Sequence, residues 1–182
     1  MSQNNYNLLI VENLLKKNNH IRGLARELHT NQTTISRKIE ELLNDNVVDY
    51  KQEGKNKVVF LKKTLEAKQF VHIVELYKLL ETLKKYPKLR IIFEKIMQNN
   101  KFRLAILFGS YAKGTVNRES DIDIYIDTKD AKIKEEIALL DTKIRVVIGN
   151  YDKKNLLIQE IEKNHVVIKC VEEFYEKNQF FV

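Results

Sequence analysis

Between Leu107 and Asp127 the chain reads LFGSYAKGTVNRESDIDIYID. This window holds the pair Gly109-Ser110, a second glycine at 114, the cations Lys113 and Arg118, and two aspartates one residue apart, Asp121 and Asp123. In an extended segment, residues two apart point to the same side, which sets the Cβ atoms of Asp121 and Asp123 roughly 6–7 Å apart. Two carboxylates at that spacing can converge on one hard divalent cation. Mg²⁺ suits them, because it takes oxygen ligands, keeps waters and completes its shell with substrate phosphates. Gly109 lets a phosphate come close to the backbone, and the Ser110 hydroxyl with free N–H groups at a helix start can bind it. Lys113 and Arg118 lie on the same loop and can neutralise a triphosphate. The plainer alternative is a turn between two strands. Gly-Ser and D-x-D are each common, and specificity comes only from their order and distance.

The stretch GSYAKGTVNRESDID resembles the signature of the DNA polymerase β nucleotidyltransferase superfamily in its minimal form. Gly109, Ser110, Ala112, Lys113, Gly114, Ser120, Asp121 and Asp123 each match, with Lys113 where arginine is more usual. The resemblance covers about residues 88 to 176, and NHVVIKCVEEFYE near the end is similar to the closing strand and helix of small members. It implies a mixed sheet with helices behind it, Mg²⁺ held by Asp121 and Asp123, and the β- and γ-phosphates of an NTP at Gly109-Ser110. An acceptor oxygen would then attack the α-phosphorus and expel pyrophosphate.

Enzymes of that family usually carry a third carboxylate on the next strand. Here that strand is TKIRVVIGN, and Arg145 takes the place. An arginine stays protonated and cannot ligate a cation. Asp141 shares its parity but lies four residues earlier, about 13 Å along an extended strand, and Asp127 is equally far from Asp123. Neither reaches the same ion unless a bulge shifts the register. Arg145 can instead pair with Asp121 and Asp123 and close the site, or hold a triphosphate without chemistry.

These residues need strands and helices to position them. RLAILF is short, apolar and bounded by Gly109, a buried strand. IDIYID alternates, so Asp121, Asp123, Tyr125 and Asp127 share one face while Ile122, Ile124 and Ile126 share the other. Upstream, residues 64–87 predict a long connector helix with Phe70, Ile73, Val74, Tyr77, Leu80 and Leu83 in one stripe, widened by Leu76 and Leu79. Its expected roles are domain connector and homodimer seam. Pro87 ends it.

Residues 5 to about 62 read as three helices and a two-stranded ribbon. Tyr6, Leu9, Ile10, Leu14 and Leu15 recur at helical spacing, then Ile21, Leu24, Ala25 and Leu28. Thr30 or Asn31 can cap a third helix whose Ile35, Ile39, Leu42 and Leu43 point inward. The order matches a winged helix-turn-helix, with the short link Leu28–Gln32 that the motif requires. Gln32, Thr33, Thr34, Arg37 and Lys38 near the start of the third helix can reach phosphates and base edges of double-stranded DNA, and Lys51, Lys55 and Lys57 on the ribbon can touch the adjacent backbone. A surface for another protein is the alternative.

The formal net charge of +7 favours a polyanionic partner. No apolar run approaches the ~18 residues of a membrane span. The first residues lack a signal-peptide pattern, and the single cysteine, Cys170, allows no internal disulfide. The expectation is a cytoplasmic α+β protein: a winged helix-turn-helix over 1–63, a connector over 64–87 and a nucleotidyltransferase fold over 88–182. It would bind Mg-NTP and DNA and transfer a nucleoside monophosphate to an acceptor. The alternatives are a regulator with an impaired transferase domain, and an antitoxin-like protein with a toxin-like partner.

Overall fold

The structure, a computed structural model, describes residues 6–54 and 56–181. The chain divides into two compact units, residues up to 74 and residues 75–180. The division falls inside one long helix, which the sequence boundaries at 63/64 and 87/88 bracket.

The first unit runs α1 (Tyr6–Lys16), α2 (Ile21–Glu27), α3 (Gln32–Asn44), β1 (Val48–Glu53) and β2 (Asn56–Leu61). Asn31 starts α3, its side chain accepting from the Thr34 N–H at 2.7 Å. Ile35, Ile39 and Leu42 of α3 are buried with Ile10, Val11 and Leu14 of α1 and Leu24 and Ala25 of α2. β1 and β2 pair antiparallel from Val48↔Leu61 to Glu53↔Asn56. Gly54, with φ +60, makes the turn.

Helix α4 (Leu65–Lys85) has a different inward face from the one its leucines suggest. Ala67, Val71, Val74 and Leu79 are buried, while Ile73, Leu76 and Leu80 are 49%, 52% and 63% exposed. Apolar residues lie all round this helix, so periodicity alone cannot select the face.

The second unit continues with α5 (Leu89–Gln98), β3 (Ala105–Phe108), α6 (Gly109–Lys113), β4 (Ile122–Asp127), α7 (Ala131–Ala138), β5 (Ile144–Gly149), α8 (Leu156–Lys163), β6 (Val166–Lys169) and α9 (Val171–Lys177). The sheet order is β5-β4-β3-β6. β3 is antiparallel to both β4 and β6, and β4 is parallel to β5, so the sheet is mixed as expected. Ile122, Ile124 and Ile126 pack with Leu107, Ile144 and Val146 against Ile92, Phe93 and Ile96 of α5 and Ile133 and Ile137 of α7. On the opposite face Tyr125 meets Tyr151, and Tyr151 meets Phe174, edge to face at 6.4 and 6.1 Å.

The second unit also buries one acid outright. Glu75, at the unit's start on α4, is 1% exposed. The Tyr175 hydroxyl donates to it at 2.8 Å, Lys78 Nζ at 2.9 Å, and His165 Nε2 lies 3.3 Å away. Burial alone would raise its pKa. The charges and hydrogen bonds of Lys78 and His165 outweigh that and hold it at about 2. We therefore expect Glu75→Ala to destabilise the chain by about 3–5 kcal/mol in urea unfolding at neutral pH. Because the folded value lies below the ordinary 4.5, Glu75 stabilises above that pH, and the contribution fades as pH falls from 4.5 towards 2. The variant's deficit should shrink over the same interval.

Candidate functional site

β3 ends at Phe108, which lies opposite Asp123 in register, and the chain turns at Gly109 into α6. Gly109 has φ +67, a conformation that a residue with a side chain adopts only with strain. A Cβ built there would also sit 2.1 Å from Asp123 Oδ2. The Asp123 carboxylate thus lies directly against the Gly-Ser bend. In-register neighbours share a face, so Arg145, paired with Asp123 across β4 and β5, stands on the same side of the sheet. Alternation along the strand puts Asp121 on that side too, exposed at the mouth.

Among the described residues, neither Asp121 nor Asp123 makes an ion pair or hydrogen bond, and neither does the exposed Arg145 side chain. Arg145 therefore does not close the site by pairing. Burial pushes the Asp123 carboxyl above its ordinary pKa, the Arg145 charge pulls it down, and Asp121 pushes it up again. Such a carboxylate, crowded and without a partner, favours any arrangement that brings a cation to it. The described residues contain no group of three or more His, Cys, Asp or Glu side chains fit to hold a metal, so an ion here would have only these two protein carboxylates.

The other acids serve the framework. Asp127 ion-pairs with Lys177 at 2.9 Å and accepts from the Tyr151 N–H at 2.9 Å. Asp141 accepts from the Lys143 N–H at 2.8 Å. The loop between α6 and β4 carries its own bonds. Ser120 Oγ accepts from the Asn117 N–H at 2.9 Å, and Lys143 Nζ donates to the Arg118 carbonyl at 2.7 Å. The Arg118 side chain is exposed. Lys113 differs from the expectation of a free cation, since it pairs with Glu160 at 2.7 Å.

Sequence reasoning missed Lys85, whose Nζ donates to the Gly114 carbonyl at 3.2 Å and lines an open groove with Tyr86, Tyr111 and Lys113. Nothing local in the sequence links positions 85 and 114. In the first unit Gln32, Thr33 and Arg37 are exposed and Thr34 is half-buried. Lys38 pairs with Glu41 at 2.6 Å and is 14% exposed, so its charge is already matched. Lys57 lies 3.8 Å from the centre of the Tyr50 ring. Lys51 pairs with Glu53, and Lys55 lies outside the described residues. His20, Arg22 and Arg26 join Asn31 and Gln32 around a cavity of about 440 Å³, a basic cluster that the sequence reading did not single out.

The fit of Asp123 against Gly109 gives a direct test. Gly109→Ala should destabilise the chain by about 1–2 kcal/mol from backbone strain alone, plus the overlap with Asp123. Asp123→Ala in the same chain should recover part of the loss, which chemical denaturation of the four proteins of the cycle would measure.

Residues 90–174 match the family model described as polymerase beta, nucleotidyltransferase. No curated protein matches the sequence. One solved structure, described as "Crystal structure of the toxin-antitoxin with AMP-PNP", is 20% identical with a TM-score of 0.35, covering 58% of this chain and 79% of that chain. Among the described residues, no helix is long and apolar enough to cross a membrane. Residues 90–174 carry a nucleotidyltransferase domain of the polymerase beta type.

Proposed function

We propose that the second unit binds a Mg²⁺-bound nucleoside triphosphate and transfers the nucleoside monophosphate to an acceptor. The observation that carries this reading is the Asp123 carboxylate seated on the Gly109 backbone, with Asp121 beside it and neither carboxylate paired among the described residues. Asp121 and Asp123 would hold the ion. The charge and oxygen chemistry of the pair fit Mg²⁺, which completes its shell with waters and phosphates when protein ligands are few. Bound there, the ion would supply positive charge against the triphosphate and the departing pyrophosphate. Ser110 and the N–H groups at the bend would receive the phosphates. Arg118 is exposed and available to them, and Lys113 can join by leaving Glu160, an exposed pair of small worth.

For the first unit we infer a winged helix-turn-helix that binds double-stranded DNA. Support comes from the order α1–α3 then β1–β2, the capped start of α3, the exposed Gln32, Thr33 and Arg37, and the cavity that Gln32 shares with Arg22 and Arg26. Lys57 of β2 would touch the DNA backbone, and the same role is proposed for Lys55, which lies outside the described residues. Exposed Leu76 and Leu80 on the second unit's part of α4 fit a second copy of the chain, as a reader of symmetric half-sites needs.

Titration of the purified chain with each Mg²⁺-NTP, followed by a pyrophosphate assay, tests the transferase. We expect saturable binding and, once an acceptor is supplied, pyrophosphate release, with Asp121→Asn and Asp123→Asn each lowering release by about a hundredfold or more. Binding without release in the presence of acceptor would leave a nucleotide-holding regulator, and no binding would remove both readings. For the first unit, Arg37→Ala should weaken duplex DNA binding and reduce the slope of log K against log salt by about one, as read by fluorescence anisotropy across a salt series.

A further inference from the structure

Arg145 stands where an acceptor would approach, and its chemistry constrains what that acceptor is. The strand order β5-β4-β3-β6 puts Asp123 on β4 with Asp121 just before that strand, the Gly-Ser bend at the end of β3, and Arg145 on β5. Neighbouring strands are about 4.8 Å apart, so the bend and Arg145 flank the acids at opposite ends of a span of about 10 Å. In an in-line displacement the attacking and leaving oxygens lie on opposite sides of the phosphorus. A triphosphate anchored at Gly109-Ser110 sends its pyrophosphate out on the β3 side, which leaves the β5 side to the attacker.

A hydroxyl arriving there would need to lose a proton, and β5, which reads IRVVIG, carries no acid or histidine to take it. Arg145 cannot accept one. Apart from Asp121 and Asp123, which would hold the ion, the acids that flank β4 and β5 are engaged, Asp127 by Lys177 and the Tyr151 N–H, and Asp141 by the Lys143 N–H. His165, turned toward Glu75 and the Ile161 carbonyl, belongs to the buried cluster. What Arg145 does offer is a planar fork of donors, exposed and without a protein partner among the described residues, which matches a phosphate or carboxylate edge.

We propose that the acceptor is an oxyanion already ionised at neutral pH, a phosphate monoester or a carboxylate, held by Arg145 on the far side of Asp123 from the Gly109-Ser110 bend. This rests on the nucleotide-transfer reading above. One oxygen of the anion forms a bond to the α-phosphorus. The bond from that phosphorus to the oxygen bridging the α- and β-phosphates breaks, and its electron pair leaves with pyrophosphate. No proton is removed from the acceptor, and the product is a phosphoanhydride or a mixed acyl-phosphate anhydride. The step exchanges one anhydride for another and needs no further reactant.

The test uses the full chain, each NTP labelled at the α-phosphate, and matched acceptor pairs that differ only in the anion. One pair is adenosine monophosphate and adenosine. The other is a short peptide with a free carboxylate and the same peptide as its amide. We expect label on the anionic member of at least one pair and none on its neutral partner. Which pair responds identifies the source of the anion. Arg145→Ala and Arg145→Gln should each raise KM for that acceptor about tenfold or more, with NTP affinity, measured separately by calorimetry, within about twofold of the parent. Equal labelling of neutral acceptors, no labelling of either anion, or an Arg145 variant that keeps the acceptor KM would overturn the proposal. An Arg145 variant that instead loses NTP affinity would also overturn it, because the guanidinium would then be serving the triphosphate. Failure of the parent chain to bind any NTP would sink the nucleotide reading itself and is visible before an acceptor is added.

Discussion

The site depends on a steric condition at one backbone position. Gly109 carries no side chain, and the Asp123 carboxylate occupies the space a Cβ would need. The same residue turns the chain with positive φ, so the bend and the carboxylate are placed by a single glycine. The consequence is electrostatic. Asp123 is drawn partly out of water beside another carboxylate, with a guanidinium across the strand that does not pair with it. A charge kept in that state raises the energy of the empty site and lowers the cost of admitting a cation.

The sheet turns this local condition into a directional site. Alternation along β4 gives Ile122, Ile124 and Ile126 to the core and the acids to the other side. Farther along that side, Tyr125, Tyr151 and Phe174 pack edge to face on one another. Tyr125 also donates to the Gly149 carbonyl at 2.9 Å, which fastens β4 to the end of β5. The aromatic contacts serve the fold, and the proposed chemistry lies at the strand ends beside Gly109.

Much of this is legible in residue order. Period-two alternation in IDIYID, an apolar run halted by glycine, and the parity of Arg145 with Asp123 are short-range patterns, and the sheet register preserves them. What escapes sequence reading is pairing across distance. Lys113 looks like a free cation until Glu160, 47 residues on, stands beside it. Nothing near Glu75 in the sequence marks it as buried, and the groups that satisfy it include His165 and Tyr175, 90 and 100 residues away. The phase of α4 is hidden for another reason: leucines on all sides make its moment small, and a few buried residues choose the face.

The loop from Gly114 to Asp121 has a thermodynamic consequence. Its turn is closed by Asn117 and Ser120, one end is fastened by Lys85 at the Gly114 carbonyl, and the middle by Lys143 at the Arg118 carbonyl. A segment ordered before any ligand arrives has little conformational entropy left to lose. Association at this mouth should therefore proceed as a near-rigid docking event, with its free energy drawn from charge neutralisation and released water.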